Sequence, residues 1–141
     1  ELITMPFALV FPHQHPQAAL ERVTWQDAAD YPFISLQGQF TELLLDAVQD
    51  ARTGIALTPA HEVTFMTTAL AMVSAGLGVT VCLPYAEPLA TLYGLTMRPL
   101  DAPTVQRRFF VYTRPGRSLS PAVESYLEFL FAYVKRSQGE G

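Results

Sequence analysis

Two stretches of this 141-residue chain carry the side chains best suited to holding a small ligand. The first reads Ser35-Leu36-Gln37-Gly38-Gln39-Phe40-Thr41, and the second Thr58-Pro59-Ala60-His61-Glu62-Val63-Thr64. Both combine hydroxyls and amides, and both lie where an apolar, strand-like run gives way to a helical pattern. A helix that begins there offers unpaired backbone N–H groups and a partial positive charge, which favour a small anion and a carboxylate above all. A plainer role is open to the same residues. Ser35, Thr41 and Thr64 are good helix caps, a task that needs no ligand, and a cap can also face one.

Enzyme chemistry is harder to assemble. Glu62 beside His61 could serve as an acid/base pair, but neighbours in an extended chain point to opposite sides. No Gly-x-Ser-x-Gly elbow surrounds Ser35 or Ser74, and no phosphate-binding Walker motif is present. Gly76-x-Gly78 lacks a third glycine and follows a helical pattern instead of preceding one, so it is not a dinucleotide fingerprint. His13 and His15, two apart in a Pro12-to-Pro16 loop, could share one side of an extended chain, yet no acidic or sulfur partner is near them. The single cysteine, Cys82, falls in an apolar run and reads as a small core hydrophobe; a disulfide framework is excluded. The expectation is a binding surface with no catalytic residue, no cofactor and no metal.

Charge narrows the partners. The formal net charge is −4, with one lysine, Lys135, against eight arginines. That balance lacks the basic footprint needed to grip a nucleic-acid backbone. Arg107, Arg108, Arg114 and Arg117 crowd one segment, where a solvated turn is the better account and an anion or partner site the lesser. Half the residues are apolar and 16% charged, as in a folded domain with a true core. No run approaches the length needed to span a bilayer, and the N-terminus does not resemble a signal peptide. A cytoplasmic location is expected.

The elements that must position the two stretches follow from periodicity. Residues 70–84 change period in the middle. Met66, Ala69, Leu70 and Val73 recur at helical spacing, and residues 79–83 form a short apolar run. Between them Gly76 is placed to end the helix in a left-handed residue, with Leu77 as the apolar residue of a Schellman stop. Upstream, residues 7–11 and 33–36 read as strands, and Thr24 caps a short helical turn. A helix begins near Thr41, turning Leu44, Ala47, Val48 and Ala51 inward and Glu42, Asp46, Asp50 and Arg52 outward, and Thr53-Gly54 stops it. Residues 55–57 read as a third strand, followed by a helix start capped by Thr64. A short helix over 86–92 precedes strands at 95–100 and 108–113. Ser120-Pro121 opens a last helix, whose stripe is Val123, Tyr126, Leu127, Leu130, Phe131 and Val134. Such alternation predicts a three-layer α/β domain with a mainly parallel sheet.

In this order the segments resemble part of a known family. The residues that carry the resemblance are Leu9-Val10-Phe11-Pro12-x-x-His15-Pro16 and Trp25-Gln26-Asp27-Ala28-Ala29-x-Tyr31-Pro32-Phe33-Ile34. They continue with Met72-Val73-Ser74-Ala75-Gly76-Leu77-Gly78-Val79, Leu83-Pro84, and Gly94-Leu95 with Arg98-Pro99-Leu100. Arg117-x-Leu119-Ser120-Pro121-Ala122 completes the set. Together they are similar to the C-terminal part of the effector-binding domain of LysR-type transcriptional regulators.

The resemblance implies a periplasmic-binding-protein-like subdomain, one of two that grip a small effector in the cleft between them. It implies that residues 1–113 form the second subdomain. Residues 114–141 then supply the return crossover and a C-terminal helix that packs on the first subdomain, which this chain lacks. DNA would be bound only through an N-terminal helix-turn-helix that is also absent, in a homodimer or tetramer, with no membrane involved. By position, the effector-facing residues would be Ser35, Leu36, Gln37 and Thr41, then His61, Glu62, Val63, Thr64 and Phe65, with Tyr112 near the return crossover. Half a cleft is expected to bind its effector weakly or not at all. The rival expectations are a solute-binding lobe of a periplasmic transport protein and a small α/β enzyme.

Overall fold

The computed structural model describes residues 1–51 and 54–139. In chain order the elements are β1 (Ile3–Pro6), β2 (Ala8–Pro12), a 3-10 turn (Pro16–Ala19), β3 (Val23–Thr24), α1 (Trp25–Ala29), β4 (Phe33–Leu36) and α2 (Gln39–Asp50). They continue with β5 (Pro59–Val63), α3 (Met66–Ser74), β6 (Thr80–Cys82), a second 3-10 turn (Pro84–Ala86), α4 (Glu87–Leu92), β7 (Leu95–Asp101), β8 (Gln106–Phe109) and α5 (Pro121–Gly139). Arg52 and Thr53, the side chain of Asp50, and residues 140–141 lie outside the described residues, and with them the expected helix stop at Thr53.

The chain divides into two compact units. One is residues 5–107; the other joins residues 1–4 to residues 108–141, so the division falls within the β1–β8 ribbon. In the larger unit four strands pair in the order β3-β7-β2-β6, and β4 pairs with β5. A parallel bridge between Phe33 and Val79 joins the two sheets, with the Ile34 N–H donating to Val79 O and the Val79 N–H to Pro32 O, both at 2.9 Å. Through that bridge β6 is flanked on both sides, as its unbroken burial requires. The β3–β7 and β4–β5 pairs are parallel, but β2 runs antiparallel to both β6 and β7. Nothing in the apolar run of β2 signals that inversion, because buried strands of either direction read alike.

The helix-to-strand joint forms as its residues dictate. After α3 the Gly76 N–H donates to Val73 O and the Leu77 N–H to Met72 O, the two bonds of a Schellman stop, with Gly76 at φ +80°. Thr24 closes a full capping box on α1: its hydroxyl accepts from the Asp27 N–H, and the Asp27 carboxylate accepts from the Thr24 N–H at 2.8 Å. Ile34 and Leu36 of β4 pack with Leu70 and Val73 of α3, and with Val10, Cys82 and Leu95, in one buried cluster. Burial pushes the Cys82 thiol up to about 12, so it is an inert member of that core.

Three expected boundaries shift. The strand placed at residues 55–57 is found at Pro59–Val63 instead, because β5 is a largely exposed partner of β4 and not the apolar run itself. Helix α2 starts at Gln39, two residues before Thr41, with Gly38 as its cap. The strand expected over 108–113 is β8, which ends at Phe109. In the smaller unit the Leu2 N–H donates to Phe109 O at 2.7 Å, and Arg108 lies 3.9 Å from the Glu1 carboxylate. Ser120 accepts at α5, its carbonyl from the Glu124 N–H and its hydroxyl from the Val123 N–H. No residue of α5 is buried.

The two loop histidines are held by other side chains. His13 Nδ1 lies 2.6 Å from Thr96 Oγ1. His15 packs between Phe11 and Tyr31, at centroid distances of 5.4 and 4.3 Å, and its Nδ1 accepts from the Gln17 N–H at 3.2 Å. Burial holds its imidazole below the ordinary value of 6.5. The unfolded chain therefore takes up a proton first as pH falls, and stability should be full above about pH 6.5 and decline below it. In urea titrations across pH 7 to 5, His15→Asn keeps an acceptor for the Gln17 N–H but cannot titrate, and should lose part of that pH slope.

Candidate functional site

The parallel pairing of β4 with β5 sets Leu36 opposite Val63, so the carboxyl ends of the two strands lie side by side. Helices α2 and α3 begin just beyond them, which is where open α/β sheets bind ligands. The Gln37 N–H donates to Val63 O at 2.8 Å, and Thr64 Oγ1 reaches Gln37 Oε1 at 3.3 Å. These two bonds tie the helix starts together.

Neither helix is capped by a side chain. The α2 cap is Gly38 and the α3 cap is Phe65. This corrects the capping expected of Ser35, Thr41 and Thr64. Thr41 lies inside the first turn of α2, so its hydroxyl turns back to Leu36 O. Thr64 precedes the α3 cap by one residue and spends its hydroxyl on Gln37. The Thr41 N–H donates to Gly38 O at 3.1 Å, whereas the first two amides of each helix have no carbonyl within their own helix to bond. Two undressed positive helix ends thus open beside one another, with an exposed amide and hydroxyl between them.

The remaining expected residues fall into three groups. His61, Glu62, Val63 and Phe65 line the β5 edge and the α3 start, and Phe65 is 68% exposed. Leu36 and Ser35 are buried beneath, Leu36 in the core cluster and Ser35 with a hydroxyl that has no partner. By strand alternation Ser35 points to the face of β4 opposite Leu36. Tyr112 belongs to the other unit, where its ring is 88% exposed and lies 6.1 Å from Phe110.

Sequence reasoning gave Phe40 no role and set Arg107 on a solvated turn, whereas it lies on β8. Phe40, in the first turn of α2, meets Phe7 edge to face at 6.2 Å, and the Arg107 guanidinium sits 5.8 Å from its ring centroid. A glycine flanked by glutamines was the available signal for an uncapped helix start there. Elsewhere a depression of about 610 Å³ lies against Leu45, Val48, Gln49 and residues 54–57. Among those described side chains Gln49 alone could hydrogen-bond. No group of three or more metal-ligating side chains occurs among the described residues.

Residues 1–135 match the family model for the LysR substrate binding domain. The chain belongs to the LysR family. It is 31% identical over 129 residues to the uncharacterized HTH-type transcriptional regulator YbhD of Escherichia coli (strain K12), a match covering 92% of this chain and 41% of that protein. Among solved structures it is similar to the effector-binding domain of QuiR in complex with shikimate, with TM-score 0.75 and 21% identity over 96% of this chain and 64% of that one. It is also similar to the CcmR regulatory domain of Synechocystis PCC6803 in complex with 2-PG, with TM-score 0.71 and 23% identity over 95% and 65%. The LysR substrate-binding fold accounts for the periplasmic-binding-protein-like α/β layout, and the family is one of transcriptional regulators. The chain spans less than half of the curated LysR relative, and just under two thirds of both solved domains. No described helix is long and apolar enough to cross a membrane.

Proposed function

We propose that this chain is the ligand-sensing part of a LysR-type regulator, binding a small carboxylate-bearing effector where α2 and α3 begin. The observation that carries the reading is the pair of adjacent helix starts without side-chain caps, tied by Gln37 and Thr64. The shikimate and 2-PG held by two structural neighbours support it. Effector binding would control DNA binding by a separate N-terminal helix-turn-helix in a homodimer or tetramer. The α5 stripe, none of it buried, would pack on a first subdomain, and the cleft between subdomains would complete the site.

The test is a promoter reporter driven by the intact regulator. Gln37→Ala combined with Thr64→Ala should weaken the inducer response about tenfold, the loss expected when hydrogen bonds to a charged group are removed at a partly exposed site. An unchanged response at wild-type protein level would remove these residues from the site.

A further inference from the structure

We propose that the open edge of β7 carries a separate, self-contained binding site, which takes a free α-amino acid by its two charges. The inference does not depend on the effector reading. Every residue it uses lies in the larger unit, and the neighbouring helix α4 is tied through Tyr93 O to the Ser74 hydroxyl at 3.1 Å, at the end of α3 away from its start.

β7 has neighbours of unequal length. β2 pairs with it from Leu95 to Pro99, but β3 meets it only at Leu100 and Asp101. Along residues 95–98 its other edge has no strand beside it among the described residues, so the sheet ladder ends there. Helix α4 packs next to this stretch and turns Glu87, Ala90 and Thr91 toward it, one helical face by their i, i+3, i+4 spacing. Between that face and the strand edge lies a hollow of about 300 Å³, which His13, Thr96, Met97 and Arg98 also line. Alternation sets Thr96 and Arg98 on one face of β7 and Met97 on the other, so the hollow wraps the open edge itself. Its volume is at the lower end of the range for small-molecule sites.

Two opposite charges line this hollow without neutralising each other. Arg98 is half-buried, and its guanidinium makes one hydrogen bond, from Nη1 to Met97 O at 3.2 Å. The rest of its donor fork has no acceptor among the described residues. Glu87 is exposed and is not paired with Arg98: the ion pairs among the described residues are Arg22–Asp101 and Arg108–Glu1. The hydroxyls are already committed. Thr91 donates to Glu87 O at 3.0 Å, and Thr96 Oγ1 meets His13 Nδ1 at 2.6 Å, which holds the imidazole in place and leaves its Nε2 open. Buried Ala90 and Leu95, with half-buried Met97, give the hollow an apolar part. A simple anion would satisfy Arg98 but meet repulsion from Glu87, and a simple cation the reverse. A molecule with a carboxylate, an ammonium and an apolar side chain on one carbon answers all three features, and that is the constitution of an apolar α-amino acid.

L-Valine is the probe. Titrated into the 141-residue chain at neutral pH and fixed ionic strength, it should give saturable shifts of the Thr91, Thr96, Met97 and Arg98 amides in amide-resolved NMR. Arg98→Gln and Glu87→Gln should each weaken valine affinity about tenfold, the loss expected for one charge-assisted hydrogen bond. Glu87 is exposed, so its variant tests the site with the fold intact, as unchanged amide positions elsewhere would show. Arg22→Gln, which breaks an ion pair outside the hollow, should leave valine affinity unchanged. 3-Methylbutanoate keeps only the carboxylate and 2-methylpropylamine only the ammonium, and each should bind about tenfold more weakly than valine. No saturable response to valine at these amides, or equal affinity in wild type and Glu87→Gln, overturns the site. Binding of 3-methylbutanoate as tight as that of valine overturns the amino-acid class and makes the hollow a plain anion site.

Discussion

Replacing Gly78 with alanine should destabilise the larger unit by about 4 kcal/mol, near the upper end of what single substitutions do. A Cβ built at Gly78 would lie 2.2 Å from Pro32 O and 3.0 Å from its carbonyl carbon, and the backbone stands at φ +152°. The obstacle is backbone, not the far end of a flexible side chain, so relief requires the chain to move. The atom it would displace is also the acceptor for the Val79 N–H in the parallel bridge that joins the two sheets. The new methyl thus strikes the joint itself. Gly76→Ala is the control: at φ +80° with nothing within 4 Å of a Cβ, it carries only the left-handed backbone penalty, about 1 kcal/mol. Urea unfolding followed by far-ultraviolet circular dichroism separates the two. Equal midpoint shifts would mean that the close approach to Pro32 is not what requires glycine at residue 78.

Trp25→Ala should cost a comparable 3 to 5 kcal/mol, roughly the range for removing a buried aromatic ring. Trp25 is the first residue of α1, fully buried, and its indole Nε1–H donates to Pro103 O at 2.9 Å. The ring therefore fills core volume and also fastens α1 to the loop after β7. Trp25→Phe separates the two roles: it keeps most of the apolar volume, leaves the Pro103 carbonyl without this donor, and should cost about 1 to 2 kcal/mol. Because Trp25 is the only tryptophan, circular dichroism and not fluorescence must follow these variants. An alanine variant as stable as wild type would deny the ring its place in the core.

What could be read from the residues alone was local. The Schellman stop at Gly76-Leu77 and the capping box of Thr24 and Asp27 each depend on a handful of adjacent residues, and both form as their types require. The family resemblance rests on such local segments taken in order. β5 escaped because it is a polar, mostly exposed strand, whereas apolar runs are what periodicity detects. The apolar residues 55–57 drew the strand four residues early. Gln37, Thr64 and Phe65 lie beside the helix starts, but the capping expected there does not form: a shift of one residue at Phe65 and two at Gln39 turned expected caps into bridges. The stacking of Arg107 on Phe40 was beyond reach, since no spacing rule connects residues so distant in the chain.

The hydrogen-bonded stop of α3 has one more consequence. It clamps the helix at its far end, so the nine residues from Met66 to Ser74 act as a gauge block roughly 13 Å long between the glycine joint and the proposed ligand face. One residue added or removed within that span would turn the front of the helix by about 100° and slide it about 1.5 Å, taking Thr64 out of phase with Gln37. Side chains along α3 can be exchanged for others of similar size, but its length cannot change without detuning the bond between Thr64 and Gln37.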